Sequence, residues 1–195
     1  MLAALLVLAA YLCGSLPTGL WLGRRVGVDV RLSGSGNIGA TNVARTAGLW
    51  PALLTLGGDV AKGFVPAMAA RALLLDQHWV AAVGMAAFFG HLYSVFARFS
   101  GGKGVATAFG VFLAVTPGAA GLAALTFVAV ALATRYVSLA SMVAAASLPM
   151  FCAAQGGSVP VASAAGIVAT AIVIRHRENL SRLGRGIEPK FQPRG

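Results

Sequence analysis

Three short stretches hold most of the groups in this chain that suit chemistry on anions. The first is LSGSGNIGATNVARTAG, residues 32–48. Its Gly34, Gly36 and Gly39 match G-x-G-x-x-G, but no strand of a βαβ unit precedes them, so the match is weak as a dinucleotide fingerprint. Its physical content survives, because glycines let backbone N–H groups approach an anion closely. Ser35, Asn37, Thr41 and Asn42 add hydroxyl and amide groups, and Arg45 adds a fixed cation whose planar fork suits phosphate. The plainer reading is a flexible linker punctuated by Gly and Ser. A linker has little use for so many hydrogen-bonding side chains beside an arginine. The second stretch is FSGGKGVAT, residues 99–107. Lys103 is flanked by Gly101, Gly102 and Gly104 and then opens an expected helix. A helix N-terminus with glycine amides and a lysine makes an anion site. The Walker spacing G-x-x-x-x-G-K-[ST] is not met. A snorkelling interfacial lysine beside a turn is the plainer alternative.

The third stretch, RHRENLSRLGRGIEPK, spans residues 175–190. A basic tail is ordinary as a topology signal or a contact to lipid headgroups. His176 and Asn179 set this one apart. They lie three residues apart, hence on one helical face, and could point into a site. Glu188, an acid among cations, is expected to pair with one of them for structure. Asp59 and Lys62 are also three apart, within an apolar stretch, where charges are costly unless paired or facing a polar cavity. A structural ion pair or cavity wall is favoured for them over direct catalysis. His91 in GHLYSVF reads as a helix-packing histidine, and Cys13 and Cys152 as small packing residues. No metal constellation is visible: there is no HExxH, no CxxC and no paired Asp cluster. There is no G-x-S-x-G elbow and no obvious Ser–His–Asp set. The H-x(4)-D pattern of acyl-CoA-dependent acyltransferases is absent too, since Val83, Phe96 and Ser181 stand five residues after the three histidines.

The elements that must position these groups are set by composition. The chain has 195 residues, is 58% hydrophobic and has a mean hydropathy of +0.82. Only 10% of residues are charged, against about 25% in a soluble domain. This is the composition of an all-α integral membrane protein. The net charge of +10 comes with no basic face or aromatic platform, so no nucleic acid is expected. Residues 1–23 form an apolar run without the basic start of a signal peptide, followed by Arg24 and Arg25. Six further spans fall at roughly 49–70, 79–97, 105–116, 119–134, 138–153 and 159–174. About seven transmembrane helices are expected, with five as the alternative if short segments are re-entrant or merged. With the N-terminus outside, thirteen of the fifteen Lys and Arg fall on the cytoplasmic side, from Arg24 to Arg194. Arg71 alone falls outside and Lys62 lies within a span, which supports that orientation and a cytoplasmic C-terminus. The chain reads as a single transmembrane domain, 1–195, whose polar segments 24–48, 98–104 and 175–195 face the cytoplasm.

These residues match a known family. SGSGNIGATNVARTAG, FSGGKGVATAFG and RHRENLSRLGRGIE resemble the three motifs of the bacterial acyl-phosphate:glycerol-3-phosphate acyltransferases, the PlsY family. GDVAKG and GHLYSVFARF also resemble family segments. The likeness spans nearly the whole chain in family order, with a loose fit at Ala44, where a larger residue is expected. The resemblance implies a multi-pass enzyme of the bacterial inner membrane. It would move a fatty acyl group from acyl-phosphate to the 1-hydroxyl of sn-glycerol 3-phosphate, giving lysophosphatidate and phosphate. No cofactor, no metal and no obligate protein partner are implied; the partners are the two substrates and membrane lipid. Ser35, Arg45, Lys103, His176 and Asn179 would be catalytic. Gly34, Gly36, Asn37, Gly39, Thr41, Asn42, Gly101, Gly102 and Gly104 would bind substrate. Asp59, Lys62 and Glu188 would be structural. An acyl-phosphate is already activated, so no covalent acyl-enzyme is needed. Two routes stay open for the acceptor proton: His176 as general base, or the donor phosphate, with His176 and Asn179 orienting the hydroxyl. The second is preferred, because no carboxylate clearly tunes His176. A transporter or channel for a phosphorylated metabolite is the rival class. It would need functional groups reaching across the bilayer, whereas the polar motifs cluster on one side.

Overall fold

The structure is a computed structural model that describes residues 1–73 and 75–191. Every regular element among them is helical. The chain divides into two compact units, Met1–Val115 and Thr116–Gly195.

In the first unit, the opening apolar run is two helices, α1 (Leu2–Gly14) and α2 (Thr18–Arg25). The expected unbroken span is interrupted at residues 15–17, where Pro17 offers no N–H to continue the ladder. A turn region leads to α3 (Ala40–Thr46), so the expected flexible segment is partly helical. Then come α4 (Leu49–Ala72), α5 (Gln77–Leu92) and α6 (Val105–Val115). Helix α4 is the axis of this unit and packs on all five of the others. Its approach to α6 is close enough that backbone meets backbone. A Cβ on Gly63 would strike the Thr107 carbonyl, and one on Gly110 would strike the Val60 carbonyl. Small residues at such crossings are how helices associate without a hydrophobic driving force. Pro66 lies inside α4 and leaves the Lys62 carbonyl without its helical donor. The Cys13 thiol reaches that carbonyl at 3.9 Å. Arg71 donates to the Ala114 carbonyl at the end of α6, where a cation suits the helix dipole.

The second unit holds α7 (Pro117–Thr134), α8 (Val137–Ala154), α9 (Val159–Arg175) and α10 (Arg177–Gly184). Pro117 and Gly118, which the expected spans 105–116 and 119–134 leave as a connection, open α7 instead. Proline at the first helical position loses no hydrogen bond. Helix α8 packs between α7 and α9, and α10 leaves α9 at a 57° bend.

Helical segments stand at all seven expected spans. Four are long and apolar enough to cross a membrane: Leu2–Arg25, Gln77–Ala97, Pro117–Thr134 and Val137–Ala154. A fifth qualifies if α9 and α10 count as one broken span. Helix α4 has the length, with 24 residues, but carries Asp59, Lys62 and Arg71. Helix α6 has only 11 residues. Leu5, Leu8, Leu53, Leu54, Leu125 and Leu132 are exposed on the helix surfaces, as lipid-facing side chains are and water-facing ones are not.

Candidate active site

The first polar stretch is organised by one side chain. Asn42 is buried. Its amide donates to the carbonyls of Val30 (2.9 Å), Ser33 (3.1 Å) and Asn37 (2.9 Å), and its Oδ1 accepts the Ser35 N–H at 2.9 Å. The Asn37 side chain turns the chain again by accepting the Gly39 N–H at 2.8 Å. Gly34 and Gly36 have φ of 61° and 70°, a left-handed conformation that glycine adopts without strain. A Cβ on Gly34 would also strike the Asn42 amide oxygen. Below this turn, Val43 joins Leu20, Val30, Ile38 and Ala52 in a buried cluster that anchors α3. Thr41 and Arg45 are four apart on α3, hence neighbours on one face. Both are half-buried, while Gly34, Ser35 and Gly36 are exposed. Nearby, Asp29 accepts a two-point bond from Arg31, at 3.1 and 2.8 Å, and lies 3.6 Å from Arg24. Hydrogen bonds from Arg31 hold the Asp29 carboxyl well below the usual carboxylate range.

The second stretch folds back onto the end of α5. Arg98 and Phe99 take left-handed conformations, with φ of 53° and 59°. The Phe99 N–H bonds the Ser94 carbonyl at 2.7 Å, and the Gly101 and Gly102 N–H groups bond the Leu92 and His91 carbonyls, each at 3.2 Å. Lys103, half-buried, follows these glycines and stands two residues before α6 begins. It therefore lies at the positive end of that helix. Behind the loop sits a buried polar cluster. Asp59 Oδ1 accepts from Thr18 Oγ1 at 2.5 Å and from Lys62 Nζ at 2.8 Å. Lys62 also donates to the Leu16 carbonyl at 2.8 Å, and His91 Nδ1 lies 3.7 Å from the same Asp59 oxygen. The expected Asp59–Lys62 pair is therefore present, and it closes the break between α1 and α2 by binding both of its edges.

In the second unit, His176 occupies the bend between α9 and α10. Its Nδ1 lies 2.8 Å from the Ile172 carbonyl. A carbonyl only accepts, so Nδ1 carries a proton and donates this bond. Asn179 and Glu188 come together: Glu188 Oε1 accepts from Asn179 at 2.6 Å and from Ser138 at 2.7 Å, and Oε2 accepts from Arg182 Nε at 2.7 Å. Burial acts to raise the Glu188 pKa, but the bonds from Ser138, Arg182 and Asn179, with the charge of Arg182, outweigh it and hold the carboxyl below its ordinary value. The expected pairing of Glu188 is found, with a fuller set of partners. The basic tail ends, for the described residues, at Phe191. Arg194, counted among the cytoplasmic cations, lies outside the described residues.

The chain alone did not point to Ser138, which stands 50 positions from Glu188, nor to Thr18 and Leu16 as partners of the α4 charges. A lone hydroxyl or a backbone carbonyl leaves no spacing signal. Asp29 also went unread, although an acid two residues from an arginine is a signal for a local pair. Among the described residues, no group of three His, Cys, Asp or Glu could hold a metal ion.

Comparison with known proteins covers almost the full length. The family model for glycerol-3-phosphate acyltransferase matches residues 4–186. A glycerol-3-phosphate acyltransferase of Geobacter sulfurreducens is 49% identical over 188 residues, which cover 96% of this chain and 97% of that protein. The crystal structure of PlsY (YgiH), an integral membrane glycerol 3-phosphate acyltransferase, in its glycerol 3-phosphate form is 42% identical. It superposes with a TM-score of 0.95 over 98% of this chain and 96% of the other. The lysophosphatidic acid form superposes with a TM-score of 0.92 over the same shares.

Proposed function

We propose that this chain, which belongs to the glycerol-3-phosphate acyltransferase family, takes its acyl group from acyl-phosphate and delivers it to the 1-hydroxyl of sn-glycerol 3-phosphate. It has the all-helical fold of an integral membrane acyltransferase of phospholipid synthesis. The observation that carries the reading is the pair of glycine-lined turns, one leading to Arg45 and one to Lys103, without a nucleophile elbow. Both proposed substrates are phosphates, so the site requires cations and backbone amides. Arg45 and Lys103 supply the charge. Ser35, Thr41 and Asn37 are hydrogen-bonding groups. Gly34, Gly36, Gly39, Gly101, Gly102 and Gly104 keep both turns clear of side chains, while the N–H groups of Gly39, Gly101 and Gly102 are bonded to Asn37 Oδ1 and to the Leu92 and His91 carbonyls, and Asn42 holds the first turn in shape.

In the step itself, the 1-hydroxyl oxygen attacks the acyl carbon. The bond from that carbon to the phosphate oxygen breaks, an ester forms, and phosphate leaves. The hydroxyl proton passes to the departing phosphate. His176 and Asn179, the latter held by Glu188, orient the hydroxyl oxygen toward the acyl carbon. The bond between His176 Nδ1 and the Ile172 backbone carbonyl fixes the ring in place, which supports a role in orientation. No acyl-enzyme and no metal take part in this scheme. The whole chain acts as one domain of seven spans in the bacterial inner membrane. Its N-terminus is outside and its motifs face the cytoplasm, as the distribution of Lys and Arg supports. Purified protein supplied with glycerol 3-phosphate tests the donor. Lysophosphatidate forms from palmitoyl-phosphate and not from palmitoyl-CoA; product from palmitoyl-CoA alone would reject the donor assignment.

A further inference from the structure

His91 lies between two features the reaction scheme treats separately, the buried charge cluster and the glycine–lysine turn. Its Nδ1 edge faces Asp59, 3.7 Å from the oxygen that also takes Thr18 and Lys62. Its Nε2 edge faces the turn, where a Cβ on Gly102 would strike Nε2 and Cε1. Its carbonyl takes the Gly102 N–H at 3.2 Å, and a Cβ on Gly101 would strike that same carbonyl. Gly104 closes the turn with φ of 82° and rests on Phe88 and Leu92, one turn and one residue away from His91 on α5. The histidine is 3% exposed, and it stands in the last turn of α5. A ring whose two edges both meet functional features constrains more than a packing residue does.

We propose that His91 is a positioning residue for glycerol 3-phosphate. Its ring is the floor under Gly101, Gly102 and Lys103, and it fixes the height and direction of that turn against the rigid Asp59–Lys62 pair. The inference rests on the reading that Lys103 binds a substrate phosphate. It explains why glycine is needed at 101 and 102, which both have ordinary φ: the space a side chain would need is filled by the histidine ring and carbonyl. Removing the ring lets the turn sag, and the lysine no longer meets the phosphate squarely.

The test uses the full chain in detergent or lipid, with KM measured for each substrate. In His91→Ala the KM for glycerol 3-phosphate rises by about 10- to 100-fold, the scale of a misplacement near 1 Å, while the KM for palmitoyl-phosphate stays at its wild-type value. His91→Gln, which keeps a polar edge of similar reach, recovers most of the loss. Gly102→Ala weakens glycerol 3-phosphate in the same way, and Gly102→Ala/His91→Ala performs better than Gly102→Ala alone, because the missing ring leaves room for the methyl group. The proposal is overturned if both KM values rise together, if kcat falls only in step with the folded fraction, or if the two substitutions simply add. Should His91→Ala not fold, the Gly102→Ala and His91→Gln values decide between the same outcomes. Unmutated protein that neither turns over nor binds glycerol 3-phosphate by calorimetry would instead remove the activity reading itself.

Discussion

Asn42 and Glu188 each gather several partners around one buried polar group. Asn42→Ala strips the turn at residues 30–37 of its bonds to three carbonyls and one N–H. Leaving such groups buried and unsatisfied costs about 1–3 kcal/mol. Activity falls with it, because Ser35 and Arg45 lose their common frame; a variant with wild-type melting temperature and activity would contradict this. Glu188 carries a pH dependence of defined sign. Its folded pKa lies below its ordinary value, so its stabilising contribution is present above about pH 4.3, the unfolded carboxylate value, and fades as pH falls through the folded pKa. Thermal melts between pH 7 and 3 should show this loss in wild type and a weaker one in Glu188→Gln. Much of this scale was legible in the chain. Arg45, Lys103, His176 and Asn179 stood out because polar types cluster in an apolar sequence. Ser138 did not, because its partner is distant in sequence and a serine in a helix needs no special reason.

Elements carry the next level of constraint. The break between α1 and α2 ends in the Leu16 carbonyl and the Thr18 hydroxyl, and α4 answers both with Lys62 and Asp59. The charged pair therefore fastens two elements. Replacing one member leaves a buried charge uncompensated, at about 3–5 kcal/mol. Asp59→Asn and Lys62→Met should each be strongly destabilising, and the double variant milder than their sum when melts are compared. Additive losses would mean that the two side chains act separately. The spacing of Asp59 and Lys62 revealed the pair from the sequence. The break itself was hidden, because Ser15, Leu16 and Pro17 sit in an otherwise continuous apolar run. That helices stand at the expected positions was legible from hydropathy; how many cross the membrane was not, because α6 is short and α4 carries charge. The short helix α3 was not, since its glycine-rich surroundings read as loop until Asn42 and Val43 are seen to be buried.

For the whole molecule, the sequence speaks through charge and through what lies outward. Exposed leucines on several helices follow from a lipid surround, and the asymmetry of Lys and Arg sets the proposed orientation. In a background of Cys13→Ala and Cys152→Ala, a thiol reagent that does not cross membranes separates the two sides. Added to intact cells, it should label Gln155→Cys and spare Ser181→Cys, and the reverse pattern would invert the topology. The central claim is chemical: glycine-lined cations hold phosphates while acyl-phosphate gives up its acyl group directly. The most direct measurement counts phosphate released and lysophosphatidate formed in one tube, from palmitoyl-phosphate and glycerol 3-phosphate, for wild type beside Lys103→Ala. The account predicts one phosphate per lysophosphatidate in wild type and a loss of both products in a folded Lys103→Ala protein. Equal rates in the two proteins, or phosphate released without lysophosphatidate, would contradict it.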